Sequence, residues 1–413
     1  MFIRYKNDGK GRSVPVARIY TQKEHPITNS QIDKDALWAI RKIQQAGGEA
    51  YIVGGAIRDM LLSRKPKDFD IATSLSPRQV QRLFWNARII GRRFRIVHLF
   101  FGSKIIEVTT FRSDEENFED GRNNLFGTIE QDAKRRDFSI NSLYYNPANG
   151  HLIDFNDALS DFHKRQIRSL IPLSYTFSED PVRMIRALKY QVTTGFKLKY
   201  DVKKAIRKNA AMIGTCSTSR LTEEVSKILA SGSSCEIFEK LRKYGLLAFI
   251  LPCWAQYASI GAVSDSLKAL DSKIREAVKE GRSIAKEEQI YAFIKPLLVF
   301  DSSQDMTPDE LFHEAFRQTK ILISPMTPPN YELEKAVDMV LQDIGIKRTR
   351  ARKSAEARAP KKKPNTMGRK SAANEELSVV PAKKHKKRRK KNPKSGKIIL
   401  PQEPKTLAEE HDL

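Results

Sequence analysis

The sequence predicts an α+β chain: a mixed strand-and-helix domain, then an all-helical region, then a basic tail without fixed structure. Three observations carry that expectation. Up to about residue 165, short apolar runs alternate with helical patterns in the order strand, helix, strand, helix, strand, strand. From Pro181 to about residue 345, apolar residues recur at helical spacing with no strand-like alternation. From Lys347 to Lys397 there are 21 Lys and Arg against three acids, in a chain of 413 residues and net charge +25.

Each element has a local reason. Residues 1–28 are polar and basic and are expected to be a flexible N-terminal segment. In 29–46, Ile32, Ala36, Ile40 and Ile43 share a helical face, and Ser30 or Asp33 can cap it. Ala50 to Val53 is a short apolar run ended by Gly54-Gly55, which reads as a buried strand meeting a tight turn. Ala56 to Leu62 reads as a helix and Lys67 to Ala72 as a second strand. Ser76-Pro77 opens another helix, with Pro77 at its first position. Arg95–Phe101 and Lys104–Thr110 read as strands joined by Gly102-Ser103. Helical patterns follow near 200–213, 219–231, 234–244, 264–280, 286–299, 308–322 and 330–345. The expected domains are 29–165, 166–220, 221–346 and the tail 347–413.

Charge and cysteine content narrow the function. Lys plus Arg is 74 and Asp plus Glu is 49, a balance that suits a polyanion partner, nucleic acid ahead of an anionic membrane surface. No run of 18 apolar residues is present, so no membrane span is expected. Met1 to Gln22 has no apolar stretch of the secretory type. Cys216, Cys235 and Cys253 are odd in number and form no CxxC pair, which disfavours a disulfide framework or a zinc site. A reducing, cytoplasmic setting fits. In the tail, Lys383, Lys384, Lys386, Lys387, Arg388 and Arg389 form a dense cationic run suited to RNA phosphates without base preference. A solubilising tail or a nuclear address would look similar.

The sharpest chemical feature is Asp68-Phe69-Asp70. On a strand, residues i and i+2 face the same side, which aligns both carboxylates. Mg²⁺ takes one or two carboxylates plus substrate phosphates, and two such ions can serve phosphoryl transfer. A solvated strand end would show the same DxD. Upstream, Gly54-Gly55 lets backbone N–H groups approach a triphosphate, and Arg58 follows in the first helical turn, or pairs with Asp59. Glu107, in an apolar strand, is a further metal-side carboxylate or an ion-paired strand residue. Arg136 and Asp137 lie in a basic run. Asp180 precedes a helix on which Arg183 and Arg186, three apart, share a face. Those arginines can hold phosphates or a base edge, or can pair with Glu179 and Asp180.

Five motifs occur in one order: VGGAIRD at 53–59, KDFDIAT at 67–73, EVTTFR at 107–112, RRDFSINSLYY at 135–145 and EDPVRMIRA at 179–187. Together they resemble the class II family of tRNA CCA-adding nucleotidyltransferases and bacterial poly(A) polymerases. The run from Leu83 to His98, with GRRFR at 91–95, looks like the poly(A) polymerase branch, as do His25-Pro26-Ile27 and the basic tail. The resemblance implies a polymerase-β-type nucleotidyltransferase head followed by a helical neck and body. It implies metal binding and catalysis by Asp68 and Asp70. Gly54, Gly55, Arg58, Arg136, Arg183 and Arg186 would contact the incoming nucleotide, and Asp137 matches a residue that is catalytic in the poly(A) polymerase branch. Asp180 and Arg183 match the pair that hydrogen-bonds the base.

The expected activity is therefore addition of AMP from ATP to RNA 3′ ends with two Mg²⁺ ions, releasing pyrophosphate. CCA addition to tRNA is the same-family alternative. A non-catalytic RNA-binding protein on a transferase fold is the alternative of another class. The sequence names no protein partner.

Overall fold

A computed structural model describes residues 1–91, 95–113, 126–300 and 306–348. Residues 1–350 form one compact unit. The cationic run 383–389, the rest of the tail from 349, and Arg92 to Phe94 of the GRRFR segment lie outside the described residues.

The head is a nine-stranded sheet. Its strands are β1 (Phe2–Asn7), β2 (Ser13–Tyr20), β3 (Ala50–Val53), β4 (Asp70–Thr73), β5 (Ala87–Ile90), β6 (Ile96–Phe101), β7 (Lys104–Thr110), β8 (Tyr144–Asn146) and β9 (His151–Asp154). Their order is β1-β2-β9-β8-β3-β4-β7-β6-β5. Every pairing is antiparallel except β4 with β7, which run parallel. The head helices are α1 (Lys34–Gln45), α2 (Gly55–Leu61), α3 (Pro77–Leu83), α4 (Ile129–Lys134) and α5 (Ala158–His163).

Local chemistry starts α1 and α3 where the sequence predicts. Asp33, not Ser30, caps α1 by accepting from Asp35 N. Ser76 and Gln79 form a capping box on α3 with Pro77 at the first turn, an arrangement worth about 1 kcal/mol. Central strand β3 is buried on both faces. Ala50 and Ile52 join the main core, while Tyr51 and Val53 join a smaller one with Ala72, Phe111, Tyr144 and residues of α4.

Two expectations need correction. Residues 1–28 are not a loose segment as far as Tyr20. They supply the β1–β2 hairpin, and β2 pairs with β9 through Arg18, Ile19 and Tyr20 opposite Asp154, Ile153 and Leu152. The partner strand lies more than 130 residues away, so the local pattern could not reveal it. Second, β4 begins at Asp70, so Asp68 is not a strand residue. Val53, the last residue of β3, pairs with Asp70, and Gly54 then turns the chain away, which leaves Asp68 no ladder partner on that side.

Behind the head, β10 (Gln166–Ile167) pairs with β11 (Lys197–Leu198). The helices are α6 (Thr176–Glu179), α7 (Val182–Thr194), α8 (Tyr200–Asn209), α9 (Thr218–Leu229), α10 (Ser234–Lys243), α11 (Leu247–Ile250) and α12 (Pro252–Tyr257). They continue as α13 (Gly261–Lys279), α14 (Lys286–Ile294), α15 (Pro308–Ile323) and α16 (Asn330–Asp343). The expected helix 286–299 ends early because Pro296 cannot continue it. Buried residues from α7 to α16 are continuous with the main core of the head. Trp254 anchors the far end, its ring 4.5 Å from Phe293 and 5.0 Å from Phe238. This continuity fixes α7 and α9 against the head sheet. None of the described helices is long and apolar enough to cross a membrane.

Candidate active site

A cleft of about 1020 Å³ opens where β3, β4, α2, α7 and α9 meet. Gly54, Gly55, Arg58, Asp68 and Asp70 line its head side, and Arg136 and Asp137 its floor. Asp180, Arg183 and Arg186 line the side formed by α7 and the chain leading into it. Every one of these was singled out from the sequence.

Gly54 has φ +70 and ψ −130, a backbone state that L side chains rarely adopt. A Cβ there would lie 3.7 Å from both Asp70 Oδ2 and Arg136 Nη1, so the turn sits between the carboxylate and the guanidinium. Asp70 is half-buried. Desolvation raises its carboxyl, and the charges of Glu107 and Asp68 add to that, with Arg136 opposing, to about 6. Glu107 is directly opposite Asp70 in the parallel pair and also lies 3.5 Å from His98 Nε2. The ion-paired arrangement with His98 is the one present, and Glu107 does not line the cleft.

A carboxylate that is partly desolvated and crowded by other carboxylates is one that a divalent cation would keep ionised. Asp68 and Asp70 lining one cleft offer the one or two oxygen ligands Mg²⁺ takes from protein. Among the described residues no cluster of three or more His, Cys, Asp or Glu is gathered as a cage. Two carboxylates plus substrate phosphates is the set that fits.

The arginines are held in part by groups the sequence reading did not single out. Arg136 donates to Tyr144 Oη at 3.0 Å, Asp132 Oδ2 at 3.0 Å and Asn141 O at 3.2 Å, with its guanidinium 5.0 Å from the Tyr144 ring. Burial works against the Asp132 carboxylate, but Arg136, Arg135 and Tyr144 together hold it down to about 2. Its spacing of four residues from Arg136 was the available signal. Tyr190 lies under two arginines, 5.0 Å from Arg58 and 5.2 Å from Arg186. Arg58 also pairs with Asp59 at 2.8 Å and donates to Asn141 Oδ1 at 3.1 Å.

Asp137 has different surroundings from those of the catalytic role implied by the resemblance. Its Oδ1 accepts from Phe138 N at 2.8 Å and Asn141 Nδ2 at 3.1 Å, and its Oδ2 from Arg186 at 2.7 Å. Both oxygens are engaged. Arg186 also lies 3.6 Å from Glu224 of α9, which Lys189 pairs on the other side. Arg183 pairs with Glu179 and donates to Thr176 O at 3.1 Å. Asp180 accepts from Val182 N at 3.3 Å and from Arg220 Nη2 at 2.7 Å. Arg220 and Glu224 come from α9, beyond the reach of any local pattern.

The Poly A polymerase head domain matches residues 50–168, and the "Probable RNA and SrmB-binding site of polymerase A" matches residues 195–257. Poly(A) polymerase I of Salmonella typhi is 36% identical over 285 residues, 64% of this chain and 61% of the relative. By these matches the chain is similar to the tRNA nucleotidyltransferase/poly(A) polymerase family. Poly(A) polymerase I of Haemophilus influenzae is 39% identical over 56% of this chain and 54% of its own. The CCA-adding enzyme of Geobacillus thermodenitrificans is 37% identical over 52% of this chain and 54% of its own. The chain thus spans about three-fifths or less of these relatives' length. The solved CCA-adding enzyme of Bacillus stearothermophilus in complex with CTP has a TM-score of 0.51 at 26% identity, covering 76% of this chain and 83% of that one. The matched head segment runs from β3 to the residue after β10, and carries the glycine turn, the aspartates and Arg136. The second matched segment spans β11 and α8 to α12.

Proposed function

We propose that the chain is a template-independent nucleotidyltransferase that adds AMP from ATP to RNA 3′ ends. The observation that carries this is the gathering of Asp68 and Asp70, the Gly54-Gly55 turn and Arg58, Arg136, Arg183 and Arg186 in one cleft. Mg²⁺ held by Asp68 and Asp70 would supply charge neutralisation on the triphosphate and a more acidic 3′-hydroxyl. Arg58, Arg136 and Arg186 face the phosphates and are oriented before substrate arrives, so little reorganisation accompanies the reaction. The RNA 3′ oxygen forms a bond to the α-phosphorus, the bond to pyrophosphate breaks, and the hydroxyl proton leaves to solvent. Asp180 accepts from an exocyclic amino group, and Arg183 donates to a ring nitrogen. Asp137 is a positioning residue that holds Arg186. RNA contact falls to the 195–257 segment and to the cationic tail.

The poly(A) reading is supported by the relatives at 36–39% identity and the basic tail. CCA addition to tRNA is the second reading, favoured by the CCA-adding relative at 37% identity. Incubating the chain with each NTP singly, on a generic RNA and on tRNA lacking its CCA end, separates them. Long tails from ATP alone on any RNA are expected. Extension confined to CCA on tRNA would transfer the assignment to the second reading. RNA binding with no incorporation in Mg²⁺ would make the chain a binding protein.

A further inference from the structure

Asp70 has two sides. On one, β3 runs into Gly54 and α2, which leads to the arginine-lined cleft. On the other lie β7, β6 and the edge strand β5. Asp70 is opposite Glu107, Glu107 is opposite His98, and His98 is opposite Arg88. Directly paired residues on neighbouring strands share a face. These four side chains therefore form one row running from the candidate metal site to the edge of the sheet. Three strand spacings of about 4.8 Å make that row about 14 Å long.

The row changes character along its length. Its inner half is acidic, Asp70 and Glu107. Its outer half is cationic and aromatic. Phe100 is two residues past His98 and so shares its face. Its ring lies 5.3 Å from the Arg88 guanidinium and 6.2 Å from the His98 ring. The opposite face of these strands is core, with Val97, Leu99, Ile106 and Val108 buried. The row's own face is open: Arg88, Ile90 and Ile105 are exposed, and Glu107 is 46% exposed.

In-line displacement places the attacking oxygen and the leaving pyrophosphate on opposite sides of the α-phosphorus. The glycine turn and arginines occupy the β3 side, which leaves the β7 side for the acceptor. A strand whose terminal hydroxyl reaches Asp70 would carry its upstream phosphates and bases outward along the row, where a guanidinium and a ring replace the carboxylates. Bases stack on aromatic side chains without regard to sequence, as an acceptor site for arbitrary 3′ ends requires.

We propose that the open face of β6 and β5, built by His98, Phe100 and Arg88, is the subsite for the last few nucleotides of the acceptor RNA. Phe100 stacks a base, and Arg88 holds a phosphate. The assignment rests on the transferase reading above.

The test uses the full chain and a short oligoadenylate primer, with KM for primer, KM for ATP and kcat measured across a salt series. Phe100→Leu keeps apolar volume and removes the ring face, and is expected to raise primer KM about 5- to 100-fold. Arg88→Gln is expected to raise primer KM and to reduce the slope of log KM against log salt by about 0.7. Arg88→Lys should restore that slope. KM for ATP should stay at the parent value in all three. An active parent whose Phe100→Leu and Arg88→Gln forms keep its primer KM and salt slope would overturn the subsite alone. A parallel rise in ATP KM would mark general damage to the head and would also overturn it. A parent that extends no RNA would bring down the transferase reading, and the subsite with it.

Discussion

Replacing Asp137 by Asn separates a catalytic carboxylate from one that positions Arg186. The new amide can still accept from Phe138 N and Asn141 through one oxygen, but its NH₂ would face the Arg186 guanidinium, donor against donor. The Asp137 side chain is 10% exposed and that of Arg186 27%. Removing one partner of a buried pair costs about 3–5 kcal/mol. Glu224, 3.6 Å from the same guanidinium, retains part of the pairing, which places the expected loss near 3 kcal/mol. Burial opposes the charge on Asp137, yet Arg186 and Asn141 hold its carboxyl below the usual range. A depressed acid contributes stability above its unfolded value, about 3.9, and loses it as pH falls through the lower folded value. Parent and variant should therefore differ most at neutral pH and converge in acid. The assay is denaturant unfolding across pH, with KM for ATP and kcat alongside, for Asp137→Asn, Arg186→Gln and the double variant. Expected are a rise in KM for ATP, a stability loss in each single variant, and a double variant well short of their sum. Additive losses, or a collapse of kcat at parental stability and KM, would refute the positioning argument and restore Asp137 to the catalytic set.

Other expected outcomes follow from the same geometry. Asp70→Asn should lower nucleotide incorporation by about 100-fold or more. It should leave denaturant stability equal or higher, since that carboxylate is desolvated and faces Glu107. Arg220→Ala frees the Asp180 oxygen it holds at 2.7 Å. The arginine is half-exposed, so the effect is about 1 kcal/mol, read as about a 5-fold loss of preference for ATP over CTP in competition assays. Asp132→Asn should lower stability at neutral pH, and the parent's advantage should fade as pH drops toward about 2, followed by thermal unfolding. Removing residues 347–413 should weaken RNA binding and flatten its salt dependence while KM for ATP holds.

The chemistry of the cleft was legible in the chain because its groups come in short, locally constrained clusters. Gly54-Gly55 had to end a strand, Asp68 and Asp70 had to lie close together, and Arg183 and Arg186 had to share a helical face. The three-to-four-residue periods of the helical region and the proline and serine caps of α3 were local in the same sense. Which group each charge answers was not legible. Asp137 meets Arg186 across 49 residues, and Asp180 meets Arg220 across 40. The β2–β9 pairing and the Asp70-Glu107-His98-Arg88 row depend on strand order. Side-chain type and near-neighbour spacing are written along the chain. Contacts between distant segments arise only when burial of a shared core brings those segments together, and that packing alone decided which charged groups pair with one another and which line the cleft.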